Sequence, residues 1–341
     1  MAGTMTVCQK ELADHIGSKR YIVLFALIIV LSTLSAYQGA EYIRNNPQAG
    51  FIAIFSGAQF GFSFASLMVF FGPIIGLALG FDAINKERTS GSLSVLLSQP
   101  IYRDSVINGK FLAGTAALSL LTVSTTGIMC GVAIPVLGFG PALEDVSRIA
   151  LFTLLTVLYL AFWMALGLLY STATKKTTTS ILMSVSTWLV FSIVITIVAS
   201  LVANTIAPVQ MPRMPTGEGF TPGGGFNQTT PGGFNRTQIE GTQEYREQIV
   251  RYSTIQTNIQ RISPAYLYNE ASSSILGIIG GGFGFIGQQG GLQGRTPFRA
   301  LELTQGLMGT WPQITAIAVY LVVCFAASYM LFLRLEIRPG G

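Results

Sequence analysis

The feature that most constrains this chain is a set of long stretches with no Asp, Glu, Lys, Arg or His. Six such stretches have a continuous apolar core, and they lie at 21–40, 45–81, 111–143, 149–174, 177–212 and 303–333. An α-helix needs about 20 consecutive, mostly apolar residues to cross a bilayer. The pattern therefore predicts six membrane-spanning helices, and it leaves few residues for a soluble domain.

The charge content excludes a soluble protein of this size. Only 10% of the 341 residues are charged, whereas a soluble domain carries about 25%. The mean hydropathy of +0.55 agrees. We predict an all-α protein of the cell membrane that crosses it many times. Its six transmembrane helices are expected near 21–40, 60–81, 111–133, 149–174, 180–202 and 313–333, so that the first five occupy residues 21–203.

The positive charges predict the orientation of these helices. With the N-terminus inside, the cytoplasmic segments hold eleven Lys and Arg residues, whereas the two short external loops hold only Arg44 and Arg148. Positive residues concentrate on the cytoplasmic side. We therefore expect both termini in the cytoplasm, with a tail at 334–341 and a large external region at 204–312 between helices five and six. Because the basic residues are scattered singly, no nucleic acid is expected as a partner.

The external region divides into two kinds of sequence. Residues 208–235 are rich in Pro, Gly and Thr, a composition that cannot bury a core and predicts a flexible loop. Two sequons, at Asn227 and Asn235, fit glycosylation of such a loop. Residues 242–262 have apolar side chains at spacings of three and four, which predicts an amphipathic helix. That helix lies on the bundle or membrane surface, or forms a lid over the external mouth.

The sequence lacks the groups that several transport and catalytic mechanisms need. No ionisable residue lies deep in a predicted span, which disfavours ion-coupled transport. A single histidine and three cysteines without a spacing pattern predict no metal site, no cofactor and no enzyme active site. No glycine-rich phosphate loop of the type GxxxxGK[ST] occurs. Any ATP-driven work would therefore need a separate ATPase subunit.

Three glycines recur at every fourth position in the second predicted span. Gly72, Gly76 and Gly80 share one helix face, and small residues at this spacing let another helix approach closely. Two interpretations remain open at this point. The stripe serves helix packing within the chain, or it forms a hinge or dimer face.

The cytoplasmic segment between spans two and three, residues 82–110, is the most informative stretch. It begins with mixed charges and continues through a Ser- and Gly-containing turn able to cap a helix. Leu93, Leu96 and Leu97 then form an i, i+3, i+4 stripe that ends before Pro100. A short amphipathic helix of this kind fits a groove of another protein, or it lies on the lipid headgroups.

This segment carries a resemblance to a known family. The stretch ERTSGSLSVLLSQPIYR, at 87–103, is followed by Gly109 and Lys110, and together they resemble the signature of ABC-2 type transporter permeases. Residues 1–20 resemble the family's amphipathic N-terminal helix on the cytoplasmic face. The resemblance implies that a coupling helix docks on a cytoplasmic ATP-binding subunit. The implied coupling residues are Glu87, Arg88, Gly91, Ser92, Leu93, Leu96, Leu97, Pro100, Arg103 and Lys110.

The function that follows is a non-catalytic permease subunit of an ABC transporter. It would pair with a second permease subunit, contact membrane lipid and move a substrate, by resemblance outward, with ATP hydrolysed by its partner. Two alternatives stay open: a membrane scaffold or mechanotransmission subunit that transports nothing, and a passive channel or carrier. Hydroxyl residues in the spans suit a hydrophobic or amphipathic cargo, but ordinary hydroxyl-mediated helix packing is the favoured interpretation, so they define no substrate.

Overall fold

The computed structural model describes residues 2–55, 63–92, 102–209, 236–277 and 303–334. Within these ranges the chain is helical almost throughout. Its α-helices are α1 (Ala2–Gly17), α2 (Lys19–Asn45), α3 (Phe64–Gly80), α4 (Asn85–Thr89), α5 (Arg103–Leu137), α6 (Leu143–Ala173), α7 (Thr177–Leu189), α8 (Ile195–Ile206), α9 (Arg236–Gln260), α10 (Pro264–Ile275) and α11 (Leu303–Leu333).

In the part of the chain that the structure describes, six helical segments are long and apolar enough to cross a bilayer. They are Lys19–Asn45, Phe64–Thr89, Arg103–Leu137, Leu143–Ala173, Thr177–Ile206 and Gly306–Leu333. The predicted number of spans and the all-helical class are confirmed. Most helices are longer than predicted, because the predicted spans stopped at a charged residue or were shortened to about one bilayer thickness. Backbone hydrogen bonds continue through residues such as Arg103, whose long side chain can reach the headgroup level.

The chain divides into two compact units. One comprises 1–189 and 264–341, and the other comprises 190–263. In the second unit, α8 packs against α9, and α9 contains most of the amphipathic helix predicted at 242–262. The greater part of the Pro- and Gly-rich stretch at 208–235, including Asn227 and Asn235, lies outside the described residues.

The first unit is built on a close contact between α3 and α6. A Cβ atom placed on Gly76 would lie 2.6 Å from the carbonyl oxygen of Leu160 and 2.8 Å from the Cβ of Trp163. Gly72 and Gly80 face α6 in the same way, and Gly167 of α6 faces back. The backbones reach this distance only because these positions lack a side chain. In the structure the glycine stripe therefore packs within the chain.

The short helix α10 is buried against α3, α6 and α11. The ring of Tyr268 stacks on that of Tyr159, with centroids 4.3 Å apart. The hydroxyl groups of Tyr268 and Thr156 share a hydrogen bond of 2.8 Å. This helix was not predicted: its residues were placed in the external region at 204–312, beyond the amphipathic helix predicted at 242–262.

A buried arginine fastens the end of α10 to α6. Arg148 is 2% exposed, and its Nη1 donates to the carbonyl oxygen of Ile275 at 3.2 Å. Its Nη2 donates to Glu144 Oε1 at 2.6 Å. A cation near the last carbonyls of a helix is stabilising. The sequence analysis counted Arg148 among the charges of a loop, and the structure places it inside α6.

Replacing Gly76 with Leu is expected to force α3 away from α6 and to lower the free energy of unfolding by about 3 kcal/mol or more. The measurement is the thermal-unfolding midpoint and the monodisperse fraction of the detergent-solubilised protein. Gly127→Leu is the matched control, because a Cβ at Gly127 meets nothing within 4 Å. Equal losses in the two variants would contradict the importance of this helix contact.

Candidate functional site

A buried ammonium group joins three helices at the start of the coupling segment. Lys110 Nζ of α5 lies 3.0 Å from Glu11 Oε2 of α1 and 2.7 Å from Glu87 Oε1 of α4. Lys110 is only 4% exposed, and both carboxylates are mostly buried. Removing an ion from water costs several kcal/mol unless it is paired with good geometry. The two carboxylates supply that pairing, so α1, α4 and α5 are bound to one charge.

The neighbouring glycine explains how α1 comes so close. A Cβ atom on Gly109 would lie 2.8 Å from the Cβ of Val7, so the absence of a side chain lets α1 lie directly on α5. Glu11 follows Val7 by four residues and therefore shares its helix face. Gly109 thus lets α1 lie close to α5, and Lys110 binds α1 through Glu11.

The surroundings of Glu11 favour its ionised form. Burial by itself would raise the pKa of Glu11, but the charges of Lys110, Lys10 and His15 and the hydrogen bond with Lys110 together outweigh burial, so the net pKa lies below the usual carboxyl range. A carboxyl with a lowered pKa stabilises the folded state above its unfolded pKa, and this contribution is lost as the pH falls through the lowered value. Burial lowers the pKa of the half-buried His15, which favours a neutral imidazole at neutral pH.

A second ion pair ties α2 to the end of α3. Arg20 Nη1 donates to Asp82 Oδ2 at 2.5 Å, and its guanidinium carbon lies 5.5 Å from the centroid of the Phe81 ring. Arg20 is largely exposed, so this pair contributes less than the buried cluster. It places the start of α2 beside the first residue of the coupling segment.

The coupling segment is also anchored to the end of α6. The backbone N–H groups of Ile84 and Asn85 donate to Ser171 Oγ at 3.0 and 3.1 Å. The amide nitrogen of the Asn85 side chain donates to Thr174 Oγ1 at 3.0 Å. Ile84 and Asn85 are fully buried. Residues 84–87 are therefore bound directly to α5 and α6, and through Lys110 to α1.

After Glu87 the chain leaves the buried cluster for the protein surface. The hydroxyl group of Ser90 donates to the carbonyl oxygen of Glu87 at 3.2 Å, and Gly91 has a φ of +73°, a conformation that glycine adopts without strain. Ser90, Gly91 and Ser92 are exposed, as are Tyr102 and Arg103 where the described chain resumes. Leu93, Leu96, Leu97 and Pro100 lie outside the described residues.

A cavity of about 380 Å³ opens beside the buried cluster. It lies between α1, the start of α2 and residues 78–92. Charged and titratable side chains of its lining include Lys10, Asp14, His15, Arg20, Asp82 and Lys86. Because basic and acidic groups alternate, the lining suits a protein surface of mixed charge better than a single ion.

The structure separates the implied coupling residues into two groups. Glu87 and Lys110 bind each other below the surface, so Lys110 is a positioning residue and is too buried to contact a partner directly. Ser92 and Arg103 are exposed, and Arg88 is half-buried. The pairing of Glu11 with Lys110 was not predicted, although the sequence places Glu11 one helical turn after Val7, on the same face of α1. Sequence reasoning also missed Ser171 and Thr174, for which the sequence offers no signal.

Replacing Lys110 with Met is expected to cost about 3–5 kcal/mol of folding stability, because two buried carboxylates lose their counter-ion. The measurement is the thermal-unfolding midpoint at neutral pH. Adding Glu11→Gln and Glu87→Gln to Lys110→Met should recover most of the loss. Lys10→Met is the matched control, because Lys10 is exposed and its removal should change little. A Lys110→Met protein as stable as this control would disprove the cluster's role.

The chain is similar to membrane proteins of ABC transporters. The family described as ABC-2 family transporter protein matches residues 5–337. The probable ABC transporter permease protein NosY of Pseudomonas aeruginosa is 32% identical over 139 residues, which are 41% of this chain and 47% of that protein. The protein of the same name from Stutzerimonas stutzeri is 33% identical over 114 residues, 33% of this chain and 39% of that protein.

The chain thus aligns with less than half the length of each of these curated relatives. The family match is different in extent, because it covers nearly the whole chain, including α1, the anchored segment at 82–92 and all six membrane-spanning helices. The chain belongs to the ABC-2 family of transporter proteins.

Proposed function

We propose that this protein is the permease subunit of an ABC transporter, which moves its substrate outward with ATP hydrolysed by a separate cytoplasmic ATP-binding subunit. The observation that carries the proposal is the anchoring of residues 82–92. Buried contacts bind this short segment to three other helices, and exposed residues flank the leucine stripe at 93–97. The family match over residues 5–337 supports the same conclusion.

The contacts suggest how the partner's motion would reach the membrane. Leu93, Leu96 and Leu97 form the apolar contact with the ATP-binding subunit, while Arg88 and Arg103 flank it. Glu87 carries the displacement to Lys110, which is part of the 35-residue helix α5. Asn85 carries it to the end of α6 through Thr174. Lys110 and Ser171 act in this scheme as positioning residues.

The proposed orientation places both termini and residues 82–110 in the cytoplasm and residues 204–312 outside. Large apolar surfaces remain on the outer faces of the spans. In the most apolar part of Thr177–Ile206 only 6% of residues are buried within the chain. In the most apolar part of Gly306–Leu333 the buried share is 17%. Lipid or a second permease subunit would cover such faces, which is consistent with a dimer surrounded by lipid.

Replacing Leu93 and Leu97 together with Glu is expected to abolish capture of the ATP-binding subunit, because two carboxylates would enter an apolar contact. The measurement is co-purification of an ATPase from detergent-solubilised membranes, where at least a tenfold loss, about 1.4 kcal/mol, is expected. Ile249→Glu/Val250→Glu is the matched control: it adds two carboxylates at exposed apolar positions of α9, on the proposed external side. Undiminished capture by the coupling variant would refute the proposal.

Single cysteines test the orientation. In a background with Cys8, Cys130 and Cys324 replaced by Ser, a membrane-impermeant thiol reagent applied to intact cells should label Val250→Cys. It should not label Ser92→Cys or Tyr102→Cys until the membrane is opened. All three positions are exposed on the protein surface, so membrane sidedness determines the result. The reverse pattern would overturn the orientation.

A further inference from the structure

The cavity beside the buried cluster has an apolar wall as well as its charged lining. Leu79 of α3 and Met164 and Leu168 of α6 belong to this wall, and all three side chains are buried. Leu24 and Ala78 add further apolar surface. The cavity volume of about 380 Å³ lies within the range of roughly 300–1,000 Å³ that is usual for pockets that bind small organic ligands.

This cavity lies where membrane-spanning helices end. α2 begins at Lys19, α3 ends at Gly80 and α5 begins at Arg103, and the lining includes Lys19, Gly80 and Lys110. Basic side chains near the ends of spans reach the level of the lipid headgroups. All the lining residues belong to the first compact unit. The cavity therefore places charged groups and apolar surface together at the depth where a phospholipid has both.

Two cations of the lining remain when its ion pairs are counted. The pairs are Lys10 with Glu11 and Asp14, Arg20 with Asp82, and Lys110 with Glu11 and Glu87. Within the ranges that the structure describes, none of the ion pairs includes Lys19 or Lys86, and both side chains are exposed. Each acidic group of the lining thus has a cation of its own, and the positive charge that is left favours an anionic ligand.

A protein surface and a lipid headgroup are the two kinds of occupant that a lining of mixed polarity accommodates. Two observations favour the lipid. The apolar wall is formed by buried side chains inside a cavity, which a single headgroup and its first methylene groups can enter. The remaining charge is positive, and basic pockets between membrane-spanning helices bind anionic headgroups.

We propose that this cavity binds the headgroup of an anionic phospholipid. Lys19 and Lys86 bind its phosphate, and Leu79, Met164 and Leu168 contact the glycerol and the first carbons of the acyl chains. In the proposed orientation this lipid belongs to the cytoplasmic leaflet. The site itself depends neither on the ATP-binding subunit nor on the direction of transport.

Lys19→Gln/Lys86→Gln tests the site, because it removes both unpaired charges and nearly keeps the side-chain length. The full-length protein, washed free of lipid in detergent, is titrated with phosphatidylglycerol, and bound lipid is counted by native mass spectrometry. Binding should weaken about tenfold or more, since each basic side chain beside anionic lipid contributes roughly a factor of five. Lys175→Gln/Lys176→Gln is the matched control: it removes the same charge from two exposed lysines outside the cavity lining.

The control decides between a built site and general attraction to a basic surface. Equal losses in the two double variants, or undiminished binding by Lys19→Gln/Lys86→Gln, would overturn the proposal. Glycerol phosphate supplies a second comparison, because it carries the phosphate without acyl chains and should compete poorly with phosphatidylglycerol. Competition at equal concentration would show a soluble phosphate ester to be the ligand and would refute the lipid.

Ala78→Phe tests the apolar wall with both lysines in place. The larger side chain fills part of the cavity and should weaken the binding of phosphatidylglycerol. Val23→Phe is its control, because Val23 is 65% exposed and lies near the start of α2 without lining the cavity. If the two Phe variants bind this lipid equally well, the lipid does not occupy the cavity.

Capture of the ATP-binding subunit is measured on the same lysine variants to exclude the other occupant. The lipid site predicts that Lys19→Gln/Lys86→Gln loses lipid and keeps its capture. Lost capture with unchanged lipid binding would identify a protein-docking surface and refute the lipid site. Absence of any ATPase from the unsubstituted protein would instead contradict the permease proposal, and the lipid titration would still decide the cavity.

Discussion

The organisation of the first unit depends on neutralising one ammonium group away from water. Lys110 cannot be buried alone, and its two carboxylate partners come from two different helices, α1 and α4, that both precede α5 in the sequence. One partner belongs to the N-terminal helix and the other to the segment that leads to the leucine stripe. The cost of an unpaired charge therefore fixes three elements in one arrangement and holds the start of the coupling segment against α1 and α5.

Close backbone packing complements this electrostatic constraint. Gly76 and Gly80 bring α3 against α6, and Gly109 brings α1 against α5. In each case the missing side chain allows a short distance between the two helix backbones. Polar groups then bind the same helices: Ser171 accepts from the backbone that follows α3, and Lys110 binds Glu11. Close backbone contact and polar or charged pairing thus occur side by side at both places.

The spans were predictable because a bilayer requires about 20 apolar residues, a demand visible in any sequence. The glycine stripe was visible too, although only the structure shows Leu160 and Trp163 opposite Gly76. Contacts between distant residues were not predictable: the resemblance placed Lys110 among the coupling residues without its buried contacts to Glu11 and Glu87, and Ser171 bears no local signal. The π-helical turn at Val190–Val194 was not predicted, because neither Gly nor Pro marks it in the sequence. The orientation and the leucine contact stay predictions.

The two buried cations also bear on the membrane that the protein can occupy. Lys110 lies near the start of α5 and Arg148 near the start of α6, and a five-residue connection joins these helices into a hairpin. At 1.5 Å per residue, the two cations are separated by roughly 33 Å along the hairpin, close to the hydrocarbon thickness of about 30 Å. Glu11 and Glu87 fix Lys110, and Glu144 fixes Arg148. Neither cation can therefore shift toward the headgroups when these lie further out. The separation of the two cations therefore matches one bilayer thickness. In a markedly thicker membrane, hydrocarbon would cover the ion pair at one end of the hairpin. Lipid chain length becomes a determinant of where this protein is stable.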